Sequence, residues 1–388
     1  MLCLKSLAAL PNTLALGGMT TEVVGSIKEI GRDAWNACYF AEVEDYDYLL
    51  AVEMAGIEGF KWRYVVVRRE GIVVAAMPAF HCRYLLETTL DPGRLRDAIE
   101  KVRRRFPRFL TQQLACLGSP CTETGVVGFH QTLTTELREL AFRCLVDAFE
   151  LDAKEHGCVL IALKDISQPL DLAMNGILSS KEYVEVPGMP TAWLDPTFTS
   201  LEAYLDLLSS STRKDMRRKL KAREKIVVKR WSGFGDLLPR AMQLYQQTRE
   251  RSAWQFEDLT PAYFEGVLAN MPGRSFCTMY FFNDKLLAWN LLLHDEGRLV
   301  DKFFCMDAEE GRAFNLYYLS WFENLKYCLE NDIGLYQSGQ AYYQNKVRLG
   351  SSLTRNSMYF RHRSPLLHTI LRLLAPLLVS DPIKEQRK

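Results

Sequence analysis

Hydrophobic and polar positions along the chain alternate in a pattern that occurs twice. Residues Tyr64–Met77 read as strand, two-residue turn at Glu70-Gly71, strand. Residues Met279–His294 repeat the pattern around Asn283-Asp284. Each hairpin precedes a stretch with apolar residues at helical spacing, roughly 133–156 in the first half and 314–330 in the second. The first helix closes at Gly157 before the β-run Cys158–Leu163, and the second closes near Gly334 before Leu335–Gln337. A glycine past a helix followed by a β-run is a helix stop and crossover. The pattern predicts two similar α/β units in tandem, against the alternative that two unrelated α/β domains share these elements by chance.

Proline and glycine at Val186–Pro190, then Asp195-Pro196, mark the boundary between the units, and Thr199 or Ser200 caps a helix starting at Leu201. The expected division is a loose extension over 1–22, α/β units over 23–190 and 191–363, and an amphipathic tail over 364–388. A chain of 388 residues fits two domains.

Composition narrows the function. The formal net charge of +1 gives no global field toward nucleic acid. Ten cysteines without a Cys-x-x-Cys pair or a metal-like Cys/His spacing read as reduced cytosolic thiols, so no metal site is expected. The apolar start of the chain is broken at Pro11 and Asn12, which fits a loose extension better than a secretory signal. No apolar run is long enough to span a bilayer.

Local charge is concentrated in Ser209–Lys225. Arg213 and Arg217 share a helix face, with Lys214, Arg218 and Lys221 beside it. With few acids in the segment and a serine-capped start, this stripe suits an anion: nucleotide, coenzyme A phosphates, acyl carrier protein, tRNA or lipid headgroups. The alternative is a solvated helix face. A second concentration of chemistry lies in Gly339–Gly350, where Tyr342, Tyr343, Lys346 and Arg348 stand between two glycines after a strand. Arg348 joins the basic helix as a candidate donor-binding group. In the tail, Leu366, Ile370, Leu373 or Leu374, and Leu377 recur at helical spacing beside basic residues. This suits a helix lying in a headgroup region over 364–380, or one packed on the protein itself.

Several of these segments together resemble the tandem-GNAT acyltransferases, specifically the FemAB-like group and its bacterial ceramide-synthase-like and "peptidoglycan biosynthesis" relatives. They are Ser209–Lys221, the hairpin with Asn283–Ala288, the strand Leu299–Phe304, the helix around Trp321, and Gly339…Lys346…Gly350. In the first half Trp35, Leu50–Gly56 and Met77–Phe80 carry the likeness. The resemblance implies a mixed α/β fold of tandem GNAT-like domains with a C-terminal amphipathic helix. The phosphate loop of single-domain GNAT enzymes is not matched, because Asp307–Ala313 keeps only Gly311 and Ala313 and carries acids.

The resemblance further implies N-acyl transfer. The expected reaction moves a fatty acyl group from coenzyme A or a carrier protein to a long-chain amino lipid, with no bound cofactor. The expected location is the cytoplasmic side of a bacterial inner membrane. The alternatives are aminoacyl-tRNA-dependent transfer to a cell-wall precursor and a non-catalytic membrane-associated binding protein. Amide formation needs a base, oxyanion stabilisation and a proton for the leaving group. His294 and Asp301 are the candidate bases, Asp301 otherwise pairing with Lys302. The resemblance points to Lys346 for charge stabilisation. Tyr342 or Tyr343 is the candidate proton donor.

Overall fold

A computed structural model describes residues 15–85, 94–106, 110–252 and 256–378. The apolar start over 7–14 and the end of the tail over 379–388 lie outside the described residues. Two mixed sheets carry the fold. The first runs Ala15–Leu16, Met19–Val24, Phe60–Arg69, Ile72–Leu85, Thr111–Leu117, Leu160–Ser167, Asn356–His362 and Val184–Pro187, with Gly128–Phe129 beside Ile72–Leu85. The second runs Val227–Trp231, Ser275–Phe282, Lys285–His294, Arg298–Met306, Leu335–Gly339, Thr191–Leu194 and Ser352–Thr354.

The two hairpins form as their turn residues dictate. Glu70-Gly71 and Asn283-Asp284 all take positive φ, which matches a two-residue turn to the twist of its strands. The predicted helices are Thr135–Glu155 and Leu316–Glu330. Thr134 caps the first through the Leu137 N–H, and Gly157 ends it with φ of 70°. In each unit the helix returns the chain to a strand parallel to the hairpin's neighbour. Thr111–Leu117 pairs with Leu160–Ser167, and Arg298–Met306 pairs with Leu335–Gly339.

The second unit lends a strand to the first. Thr191–Leu194, which follows the first unit in sequence, lies between Leu335–Gly339 and Ser352–Thr354 of the second sheet. Asn356–His362, at the end of the second unit, lies between Leu160–Ser167 and Val184–Pro187 of the first. Strand Met19–Val24 likewise begins inside the stretch expected to be a loose extension.

One continuous core joins the halves. Trp35, Tyr48 and Leu49 of the first pack in the same buried cluster as Phe264, Trp289 and Leu291 of the second. Helix Tyr46–Met54 lies on helix Pro261–Asn270, and the Tyr48 and Tyr263 hydroxyls meet at 2.8 Å. Polar ties cross the same boundary, including Arg298–Glu42 at 3.2 Å and Arg274–Asp45 at 2.9 Å. The tail helix Pro365–Leu378 packs one side on the first sheet through Leu371 and leaves Leu366 and Leu373 about 70% exposed. No helix among the described residues is long and apolar enough to cross a membrane.

Candidate active site

The parallel ladder between Arg298–Met306 and Leu335–Gly339 ends at the pair Val300–Gln337. Beyond it the strands are no longer paired, and the next residues are Asp301 and Ser338. Carboxyl ends of parallel strands are where such sheets place ligands. A β-bulge between Leu291 and Leu292 sets Leu292 opposite Asp301 and leaves Lys302 without a partner in the register. A bulge re-aims side chains.

Asp301 turns to a set of neutral donors. Asn290 Nδ2 donates to Oδ1 at 3.0 Å, while Asn324 Nδ2 and the Tyr336 hydroxyl donate to Oδ2 at 3.0 and 3.2 Å. Burial raises its carboxyl to about 6, against the opposing pull of the Asn290 bond, the Lys346 charge and the Tyr336 bond. The free oxygens of Asn290 and Asn324, and the hydroxyls of Tyr280 and Tyr317, are buried without a hydrogen-bond partner among the described residues. Both tyrosines feel the Asp301 charge. Buried polar atoms are rarely left unpaired, and four around one carboxylate suit a polar ligand.

Lys302 points elsewhere. Its ammonium donates to Glu44 at 2.5 Å and to the Cys121 carbonyl at 2.8 Å, and lies 5.2 Å from the Tyr48 ring centre. The Asp301–Lys302 pairing weighed from sequence therefore does not form. Burial works against the charged lysine, but Glu44 and Glu123 outweigh it and hold its pKa above the ordinary value.

The glycine-flanked loop closes the other side. Gly339 has φ of 82°, and a Cβ there would lie 2.9 Å from Glu123 Oε1 and 3.4 Å from the Asp301 carbonyl. Lys346 begins its role in the short helix Tyr343–Arg348, where it is buried. Its three N–H donors go to the carbonyls of Ser338, Gly339 and Gln340 at 2.5, 2.8 and 3.1 Å. The ammonium therefore fixes the loop, and its charge reaches Asp301 and Glu123 through space. Burial lowers it to about 8, with Glu123 and Asp301 opposing. Gln337 ties the loop to the first unit by donating to Glu123 Oε2 at 2.9 Å. Substituting Gly339→Ala adds backbone strain of about 1–2 kcal/mol and pushes Glu123 aside. Urea unfolding should show that loss, and a variant as stable as wild type would contradict the strained geometry.

Tyr342 is exposed in the left-handed region, its ring 5.8 Å from Tyr317, whereas Tyr343 is buried and donates to the Pro190 carbonyl at 2.9 Å. His294 does not share the hydrogen bonds of Asp301. Its Nε2 meets the Tyr327 hydroxyl at 3.1 Å, and burial lowers its pKa against the opposing effect of Asp295.

The basic helix Ser210–Leu220 lies against helix Leu316–Glu330, and its charges are answered by acids. Arg213 pairs with Asp206 at 2.9 Å, Arg217 with Glu202 at 3.1 Å, and Arg218 with Asp215 at 2.7 Å. Arg348 also reaches Asp215, at 3.1 Å. Lys214 is exposed. The shortage of acids inferred from the segment is thus corrected: two of them come from the preceding helix Leu201–Leu207. The stretch equivalent to the phosphate loop of single-domain GNAT enzymes, already unmatched in sequence, has its N–H groups occupied from within. Asp307 Oδ1 accepts from the N–H groups of Glu309 and Glu310 at 3.2 Å each, and Oδ2 pairs with Arg240 at 3.2 Å. Burial opposes ionisation of Asp307, but these bonds hold its carboxyl below the usual range.

The architecture is that of tandem GNAT-like proteins. The structure of FemX matches at a TM-score of 0.58 and 12% identity, covering 90% of this chain and all of that one. A tandem GNAT protein from the clavulanic acid biosynthesis pathway matches at a TM-score of 0.51 and 14% identity, covering 89% and 99%. The FemAB-like family, described as peptidoglycan biosynthesis/recognition, matches residues 167–375, more than half of the chain, and the protein belongs to it. No curated protein matches the sequence. Membership makes the chain an acyl or aminoacyl transferase by class.

Proposed function

We propose that the protein transfers an acyl or aminoacyl group directly to an amine, with Asp301 as the general base. The observation carrying this reading is a partly buried carboxylate, raised to about 6, where two parallel strands separate and four polar atoms lack partners. A base near neutrality suits removal of a proton from an amine. In the proposed step the amine nitrogen attacks the carbonyl carbon of the donor and its proton passes to Asp301. The bond from carbon to the leaving oxygen or sulfur breaks, and that atom leaves protonated. Tyr317 or Tyr342 supplies that proton, and Lys346 holds the loop while lending positive charge to the oxyanion.

The favoured pair is an aminoacyl ester and an amine of a cell-wall peptide precursor. The family's description supports the acceptor, and Asp307 supports the donor, because it occupies N–H groups that a coenzyme A pyrophosphate would use. A second reading, fatty acyl transfer to a long-chain amino lipid at a membrane surface, is favoured by the exposed leucines of the tail helix.

Purified protein would be offered two pairs: aminoacyl-tRNA with a precursor peptide bearing a free amine, and palmitoyl-coenzyme A with a long-chain base. Mass spectrometry should detect an amide from the first pair that Asp301→Asn fails to make. An amide from the second pair alone would replace the favoured substrates, and no amide from folded protein with either donor would remove the reading.

A further inference from the structure

On the first sheet, away from the Asp301 site, His81, Asp152 and His156 bring two imidazoles and a carboxylate together. One ligand atom from each lies within 4.8 Å of the others. His81 comes from strand Ile72–Leu85, whereas Asp152 and His156 stand one turn apart at the end of helix Thr135–Glu155. His81 is 5% exposed, and neither ring nitrogen has a hydrogen-bond partner among the described residues. Its Nε2 lies 3.0 Å from Asp152 Oδ2, which is also without one.

The second histidine is oriented as metal-binding imidazoles usually are. His156 Nδ1 lies 2.8 Å from the Asp152 carbonyl, so its proton belongs there and Nε2 carries the lone pair. That lone pair faces a cation in this structure: Arg63 Nη2 is 2.7 Å from Nε2, and Arg63 Nε is 3.5 Å from Asp152 Oδ1. The guanidinium fits poorly, since its buried Nε also makes no hydrogen bond. Three of these buried atoms meet only in ion pairs without hydrogen-bond geometry, and His81 Nδ1 has no partner among the described residues, which is costly. Arg63 has another neighbour to turn to, because its Nη1 and the Glu29 carboxylate both lie within 4.0 Å of a Cβ built on Gly25.

We propose that His81, Asp152 and His156 form a site for one divalent transition-metal ion, which Arg63 occupies as a displaceable cation. Two imidazoles and a carboxylate suit zinc, nickel or cobalt. The ion would join the end of the long helix to the sheet beneath it, apart from the transfer chemistry. Sequence spacing concealed the set, because only Asp152 and His156 are near one another in the chain.

The full chain, stripped with chelator, would be titrated with cobalt(II) and followed by visible absorption, then with zinc(II) and followed by thermal melting. One equivalent should bind and raise the melting temperature. His156→Gln alters a half-exposed side chain that the fold does not need, and should abolish the absorption. Arg63→Gln should tighten binding, because it removes the cation that competes with the metal for His156 Nε2 and Asp152. The proposal is overturned if neither wild type nor Arg63→Gln binds an equivalent of metal. It is equally overturned if His156→Gln binds as wild type does.

Discussion

Asp301→Asn is expected to lower kcat/KM by about 10²–10⁴-fold, the usual contribution of a general base. The pH profile distinguishes this loss from a structural one. Asp301 must be ionised to accept a proton, so wild-type kcat/KM should rise with pH through about 6. Lys346 must remain protonated to hold the loop carbonyls, so activity should fall as pH passes about 8. The bell belongs to the pair, since each charge shifts the other. In Asp301→Asn the acidic limb should vanish while the alkaline limb survives. Retention of a limb near pH 6 in the variant would assign the base to another group.

Lys302→Met should have the largest effect on stability. It removes one partner of an ion pair whose side chains are 3% and 13% exposed, leaving Glu44 buried beside Glu123. Breaking such a pair costs about 3–5 kcal/mol. The double variant Lys302→Met/Glu44→Gln removes both charges and should recover much of that loss. Urea unfolding of the two variants measures the difference. A double variant no more stable than the single would show that Lys302 acts chiefly through the Cys121 carbonyl and the Tyr48 ring.

Local sequence signals carried the hairpins, the two long helices and the serine caps, because turn residues and apolar periodicity act over a few positions. Asp301, Lys346 and Tyr342 were legible as candidates. Their partners were not read, although Asn290, a fully buried amide within the apolar run Leu286–Leu293, was a usable signal. Asn324, on the buried side of its helix, was another. Glu44 and Glu123 had no such signal, since they reach the second unit only after the halves dock. Mistakes had the same origin: the basic helix looked uncompensated because its acids stand in the preceding helix, and Asp301 looked paired with Lys302 because a bulge cannot be seen in composition. The crossing of Asn356–His362 to the first sheet also escaped, since a strand's own residues do not say which sheet receives it.

That crossing constrains how the protein emerges from the ribosome. Ser167 pairs with Asn356 across 189 residues of chain. Until the last residues are synthesised, the edge of Leu160–Ser167 offers unsatisfied backbone groups to any passing strand. The nascent first half therefore waits as an incomplete sheet, and non-local pairing of this kind is slow and exposed to aggregation. Two genes encoding the halves, divided near Pro190, would yield a first fragment missing an interior strand that only the second fragment can supply.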